Sequence, residues 1–115
     1  MTTKQPPFVI HVSEMADFPD AVYIGRENGR LRLKRSKWAN PYKIGDRIGF
    51  DGNTMNRSMA VIEYRLRLSD ALKADLDELT GKPLACWCRR SDEPRTDDNM
   101  CHGDVLVELW KEQNQ

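Results

Sequence analysis

The chain has 115 residues, 31% of them charged and 39% hydrophobic, and its 18 Lys and Arg exactly offset its 18 Asp and Glu. A chain of this length suits one domain, which buries roughly two-thirds of its unfolded surface and needs no covalent staples. Balanced charge gives no bulk attraction to a polyanion, and no stretch nears the roughly 20 apolar residues of a membrane span, so a membrane partner is not expected.

Residues 1–7, with Pro6 and Pro7 ahead of Phe8, read as a flexible lead-in without the apolar core of a secretory signal. The expected domain therefore runs over 8–112, with a flexible end at 113–115. Three cysteines without an export signal favour reduced thiols and a cytoplasmic location.

Residues 8–12 and 21–24 are short β-rich runs, the second closed by Gly25. From Arg30 to Lys34 leucines alternate with cations, the pattern of an edge strand with Leu31 and Leu33 turned inward. Between 36 and 52 no period holds. Asn40-Pro41, Gly45, Gly49 and Asp51-Gly52 punctuate an ordered loop, and loops this long in small domains are commonly functional. Asn53 or Thr54 is expected to cap a helix running to about Leu68, with Met55, Met59, Ile62 and Leu66 as its inward stripe.

Ser69 or Asp70 opens a second helix in which Leu72, Leu76 and Leu79 face inward until Gly81 ends it. Residues 83–88 read as a buried strand, with Pro83 tolerated at its first position. Residues 89–99 are polar loop. Asp98 or Asn99 is expected to cap a last helix with Val105, Leu106, Leu109 and Trp110 as its inner face. This order predicts an α/β fold, a short mixed or parallel sheet flanked by about three helices, Rossmann-like in coarse outline. The last strand should lie parallel to a neighbour, because helix separates it from the earlier ones.

All three cysteines and one of two histidines fall in Cys86-Trp87-Cys88 and Cys101-His102. Thiolate sulfur and imidazole nitrogen are preferred zinc ligands, so Cys86, Cys88, Cys101 and His102 form a candidate metal set. Geometry strains that reading. In an extended strand Cys86 and Cys88 lie about 6.6 Å apart at Cα, whereas sulfurs on one zinc approach to about 3.8 Å. A second reading is metal-free thiol chemistry on a nucleotide or nucleoside, with Cys86 or Cys88 as nucleophile and His102 as base. A third treats the cysteines as small buried hydrophobes, with the chain serving as a non-catalytic module that binds nucleic acid or protein. Asp104 is in sequence reach of either site.

Charge is uneven along the chain. Between Arg26 and Arg47 eight cations stand against Glu27 and Asp46, whereas the segment after Arg89 is net acidic. Arg26, past a strand end, can clamp a phosphate, Lys37 adds charge, and Asn40 carries donors and acceptors suited to a base edge or to its own turn. A phosphate-bearing small molecule or nucleic acid is the expected partner. His11 reads as structural.

Together these stretches resemble one group. Tyr-Ile-Gly-Arg at 23–26, Ser-Lys-Trp-Ala-Asn-Pro-Tyr at 36–42, then Arg57, Ala60, Tyr64 and Leu68 are similar to the domain-of-unknown-function 4326 family. So are Gly81-Lys82, Leu84 to Cys88, and Cys101 to Leu106. The resemblance implies a small bacterial or bacteriophage protein with no established activity. It also implies that Arg26, Lys37, Asn40, Cys86, Cys88, Cys101, His102 and Asp104 form one constellation. Family members usually join the two cysteine blocks by a few residues. Here Arg89 to Met100 intervene, a segment long enough to cover the site as a lid.

Overall fold

A computed structural model describes residues 5–42, 44–45, 54–96 and 98–114. The sheet has three strands, all parallel: β1 (Phe8–His11), β2 (Val22–Tyr23) and β3 (Pro83–Cys86), in the order β1-β3-β2. Phe8 lies opposite Pro83 and His11 opposite Cys86, while Val22 and Tyr23 pair with Leu84 and Ala85. A central strand covered on both faces needs an unbroken apolar run, and every residue of β3 is buried. Past β2, Ile24 N–H still donates to the Ala85 carbonyl (3.1 Å).

β1 stops one residue short of the expected run because a 3-10 helix, Val12–Asp17, begins there. Its capping box is local: the Glu14 carboxylate accepts from His11 N–H (2.9 Å) and His11 Nδ1 accepts from Ser13 N–H (3.1 Å). Three α-helices follow among the described residues: α1 (Arg57–Arg67), α2 (Asp70–Ala74) and α3 (His102–Gln113). A second 3-10 helix, Leu76–Leu79, continues α2 and buries Leu76 and Leu79, with Leu72 partly buried. Ser69 caps α2, as expected. Ahead of β1 the Gln5 carbonyl accepts from Gly81 N–H (2.8 Å).

The core joins Ile10, Ile24, Leu84 and Leu106 to Trp38, Leu76 and Leu79, all essentially inaccessible to solvent. α3 packs on β1 and against α1. Gly103 permits that approach, since a Cβ there would lie 2.9 Å from Ile24 Cδ1 and 3.1 Å from Val9 Cγ2.

Several sequence expectations are corrected. Residues 30–34 form no edge strand. Asn28 and Leu33 exchange two backbone hydrogen bonds as an isolated antiparallel bridge, Asn28 Oδ1 accepts from Leu31 N–H (3.1 Å), and Arg32 sits at φ 57°. An asparagine bonding its own backbone makes a turn, which outweighs the alternation and leaves Leu31 half exposed. α1 starts later than expected, capped by Asn56 Oδ1 on Met59 N–H (2.8 Å); Asn53 lies outside the described residues, as do Gly49 and Asp51-Gly52.

Its inner face is also different. Ala60, Val61 and Tyr64 are buried, whereas Ile62 and Leu66 are 53% and 71% exposed. Tyr64 fixes that rotation, its hydroxyl donating to the Trp38 carbonyl (2.8 Å) from a buried position. β3 ends at Cys86 rather than 88, and Cys101, not Asp98 or Asn99, caps α3. Among the described residues no helix is long and apolar enough to cross a membrane.

Candidate metal centre and cleft

The site lies beyond the carboxyl end of β3. Cys86 is the strand's last residue, and the chain then bends at Trp87 and Cys88 rather than continuing extended. Across from them Cys101 caps α3. Its position is held by Asp104, whose carboxylate accepts from Cys101 N–H (3.0 Å) and takes a two-pronged ion pair from Arg89 (2.6 and 2.7 Å). The three sulfurs all lie within 4.8 Å of one another, with Cys86 and Cys101 at 3.5 Å. Separations of that size can be bridged by one ion, because sulfurs sharing a tetrahedral zinc stand about 3.8 Å apart. The shorter strand removes the geometric strain noted from sequence.

The thiols differ electrostatically. Cys88 is held well below the ordinary thiol range, first by hydrogen bonds from the Cys101 and Cys86 thiols and then, against the cost of burial, by the Arg57 guanidinium. Cys86 is eased by its bond to Cys101 but raised by Cys88 and by burial, to about 11. Cys101 is raised further, by its hydrogen bonds to both sulfurs and by burial. The thiolate form is therefore most favoured at Cys88, which alone of the three is only partly buried. Arg57 Nη1 meets that sulfur at 3.4 Å and the Met100 carbonyl at 3.1 Å.

His102 is not part of the sulfur cluster. Its Nε2–H donates to the Ile24 carbonyl (2.6 Å), its ring meets Tyr64 edge-on at 5.0 Å, and burial lowers its pKa, which favours the neutral ring. With Nε2 carrying the proton, Nδ1 holds the only lone pair. The ring still borders the same cleft.

That cleft has a volume of about 550 Å³ and is floored by the cysteines. Arg26 and Arg57 supply its cations, and Tyr23, Tyr42 and Trp87 its aromatic walls. Arg26 is fixed by donating from Nε to the Asn40 carbonyl (3.1 Å) and from Nη2 to the Tyr42 carbonyl (3.2 Å). Among the described residues its Nη1 has no partner.

Other residues singled out from sequence are placed elsewhere or occupied. Asn40 borders the cleft, but both polar atoms of its side chain are engaged in holding the loop: Nδ2 donates to the Ala60 carbonyl (3.1 Å) and Oδ1 accepts from Tyr42 N–H (2.9 Å). Lys37 lies outside, paired with Asp75 (3.1 Å) and Glu78 (2.6 Å) over the Trp38 ring. Asp104 does not border the cleft; its carboxylate is spent on Arg89 and the helix cap. The acidic segment does not roof the site either. Ser91 donates twice to buried Glu14 (2.8 and 2.6 Å), Arg95 pairs with Glu108 (2.7 Å), and among the described residues of 89–100 only Met100 lines the cleft.

Arg57 and Arg89 were missed as site residues. For Arg57 a signal exists. It opens α1, where the helix dipole disfavours a cation, and that turn holds no acid to offset it, so a partner elsewhere is implied. Arg89 gives no local sign, since its partner lies fifteen residues on.

The profile of the family described as Domain of unknown function (DUF4326) matches residues 10–112. The chain belongs to this family. It is also similar to Uncharacterized protein R718 of Acanthamoeba polyphaga mimivirus, 33% identical over 94 residues, which covers 78% of this chain and 66% of the viral protein. It thus spans just under two-thirds of that relative's length. No solved structure matches. In this DUF4326 chain the resembling blocks converge: Tyr23, Gly25 and Arg26, Asn40 and Tyr42, Arg57, and both cysteine segments all border one cleft.

Proposed function

We propose that Cys86, Cys88 and Cys101 hold one zinc ion at the floor of the cleft, and that Arg26 and Arg57 bind a phosphate-bearing ligand above it. The observation that carries this is the convergence of three sulfurs to within 4.8 Å at a concave surface. Each sulfur needs a shift of at most about 1 Å to reach tetrahedral spacing. Three protein ligands leave a fourth position, and an ion with an open position can polarise a bound oxygen or activate water. Three thiolates on a divalent ion carry net negative charge, which the adjacent Arg57 offsets. The placement past the end of a parallel strand also supports the reading: in open parallel sheets, ligands sit beyond the carboxyl ends of the strands.

Cobalt(II) titration tests the metal. A thiolate-to-cobalt charge-transfer band with tetrahedral d–d intensity should saturate at one equivalent and be displaced by zinc. Cys101→Ser should weaken it sharply, and an octahedral spectrum unaffected by that change would refute the site.

A second reading is favoured by one observation. Cys88 alone of the three is only partly buried, and it faces Arg57. In a metal-free thiol enzyme it, rather than Cys86, is the nucleophile, and His102 cannot act through the nitrogen that holds Ile24. Alkylation of the apoprotein would then label Cys88 selectively, even in protein that never binds cobalt.

A further inference from the structure

The segment between Gly25 and Ser36 is a short excursion whose two ends are fastened at the rim of the cleft. Ser36 N–H donates to the Gly25 carbonyl (3.0 Å), and Asn28 and Leu33 bond each other twice (2.8 and 2.9 Å). One arm, Gly25 to Asn28, borders the cleft directly. Arg30, Arg32, Lys34 and Arg35 occupy the tip and the other arm, all exposed. Among the described residues none of the four has an ion pair. Lys37, Arg65, Arg67 and Arg95 are by contrast each paired with a carboxylate, and the cations elsewhere that lack an ion pair among the described residues, such as Lys111, do not form a cluster of this kind. Glu27 is the only acid in the excursion. Unshared positive charge is thus concentrated at the mouth of the cleft.

Trp87 stands at the same mouth. It is 46% exposed, yet held in place. Its Nε1–H donates to the Tyr23 hydroxyl (3.1 Å), that hydroxyl donates to the Arg26 carbonyl, and the indole meets the His11 ring edge-on at 6.0 Å. Gly25 makes room for the arrangement, since a Cβ there would fall 2.5 Å from the Tyr23 hydroxyl oxygen. An exposed indole fixed by its own hydrogen bond is a stacking platform that loses little freedom when a flat ring covers it.

We propose that the cleft takes the terminal nucleotide of a single-stranded nucleic acid, its base against Trp87 and its phosphate on Arg26 and Arg57. The following phosphates run over Arg30, Arg32, Lys34 and Arg35. This rests on reading the cleft as a phosphate site. A free mononucleotide would use the cleft and Trp87 but leave the four cations idle. An acidic peptide would use the cations but not the indole. A strand end uses both.

The test is fluorescence anisotropy of the full chain with an internally labelled single strand of about 12 nucleotides, between about 50 and 200 mM salt. Each phosphate neutralised on a single strand contributes a slope of about −0.7, so four at the turn should cost about fifty-fold in affinity over that range. Replacing Arg30, Lys34 and Arg35 together by Ala should reduce the slope by about 2. Lys111→Ala, at the far end of α3, should leave it unchanged. Trp87→Ala should weaken binding about tenfold at constant slope, and Trp87→Phe should restore most of it. A covalently closed circle of the same length should bind at least about tenfold more weakly.

An unchanged slope in the triple variant, equal binding of the circle, or equal competition by polyglutamate overturns the proposal. Were AMP to bind as tightly as the strand, with dependence on Arg57 and Trp87, the strand inference would fall and the phosphate cleft would stand. Should neither AMP nor the strand bind, both fall.

Discussion

Removing Arg89 should cost far more stability than an average surface change, although the residue looks like one more charge in a polar loop. Its guanidinium meets Asp104 through two hydrogen bonds, and the two side chains are only 11% and 7% exposed. Arg89→Met strands a buried carboxylate with the Cys101 N–H as its remaining close donor, since Arg95 approaches no nearer than 3.9 Å. Breaking a buried pair from one side costs about 3–5 kcal/mol, a large share of the 5–15 kcal/mol holding a domain of this size. At roughly 4 °C per kcal/mol, Tm should fall by about 12–20 °C.

Asp104→Asn keeps an acceptor for the cap and removes the charge, so the double variant should recover part of the loss. A cycle of urea titrations should show coupling of about 2 kcal/mol or more. Because Asp104 also fixes the Cys101 backbone, Arg89→Met should weaken cobalt binding about 10-fold or more. A loss below about 1 kcal/mol with no coupling would refute the assignment of this pair as the brace of the site.

Glu14, lowered to about 2 by hydrogen bonds from His11 and Ser91, contributes stability that is complete above its ordinary value of 4.5 and lost as pH falls toward 2. Glu14→Gln should therefore lower Tm at neutral pH, with the gap to the unaltered protein closing between pH 4.5 and 2. A constant gap across that window would contradict it. Asn40→Ala removes two hydrogen bonds, one that ties the loop to the Ala60 carbonyl and one that satisfies Tyr42 N–H, for a loss of about 1–3 kcal/mol by urea denaturation. Lys37→Ala breaks only exposed pairs and should leave both stability, within about 1 kcal/mol, and cobalt binding unchanged.

What the sequence revealed depended on how local the determining force was. A buried strand from Pro83 and a last helix with Val105, Leu106 and Trp110 inward were legible from the apolar run at 83–88 and the spacing of the helix, although the strand stops at Cys86 and the cap is Cys101. The strand's parallel pairing followed from the intervening helices. The bend at Trp87 and Cys88 was not legible, and it is what allows three sulfurs to meet. α1 carries two apolar rows, and period alone does not choose between them; the Tyr64 hydroxyl and the Trp38 carbonyl do, across 26 residues of sequence. The turn at 28–33 was overlooked because alternating leucines resemble a strand until the Asn28 side chain closes on Leu31. Counting cations also misled at Lys37. A charge run does not show which members are already neutralised, and only the fold shows that Asp75 and Glu78 claim that lysine.

The metal content of protein purified without a polyhistidine tag, measured by elemental mass spectrometry beside Cys86→Ser and Cys101→Ser, tests the central claim most directly. About one zinc per chain in the unaltered protein, lost in both variants while each remains folded by circular dichroism, is the expected result. Zinc well below one per chain, with no gain in Tm on adding it, would contradict a metal centre at these three sulfurs.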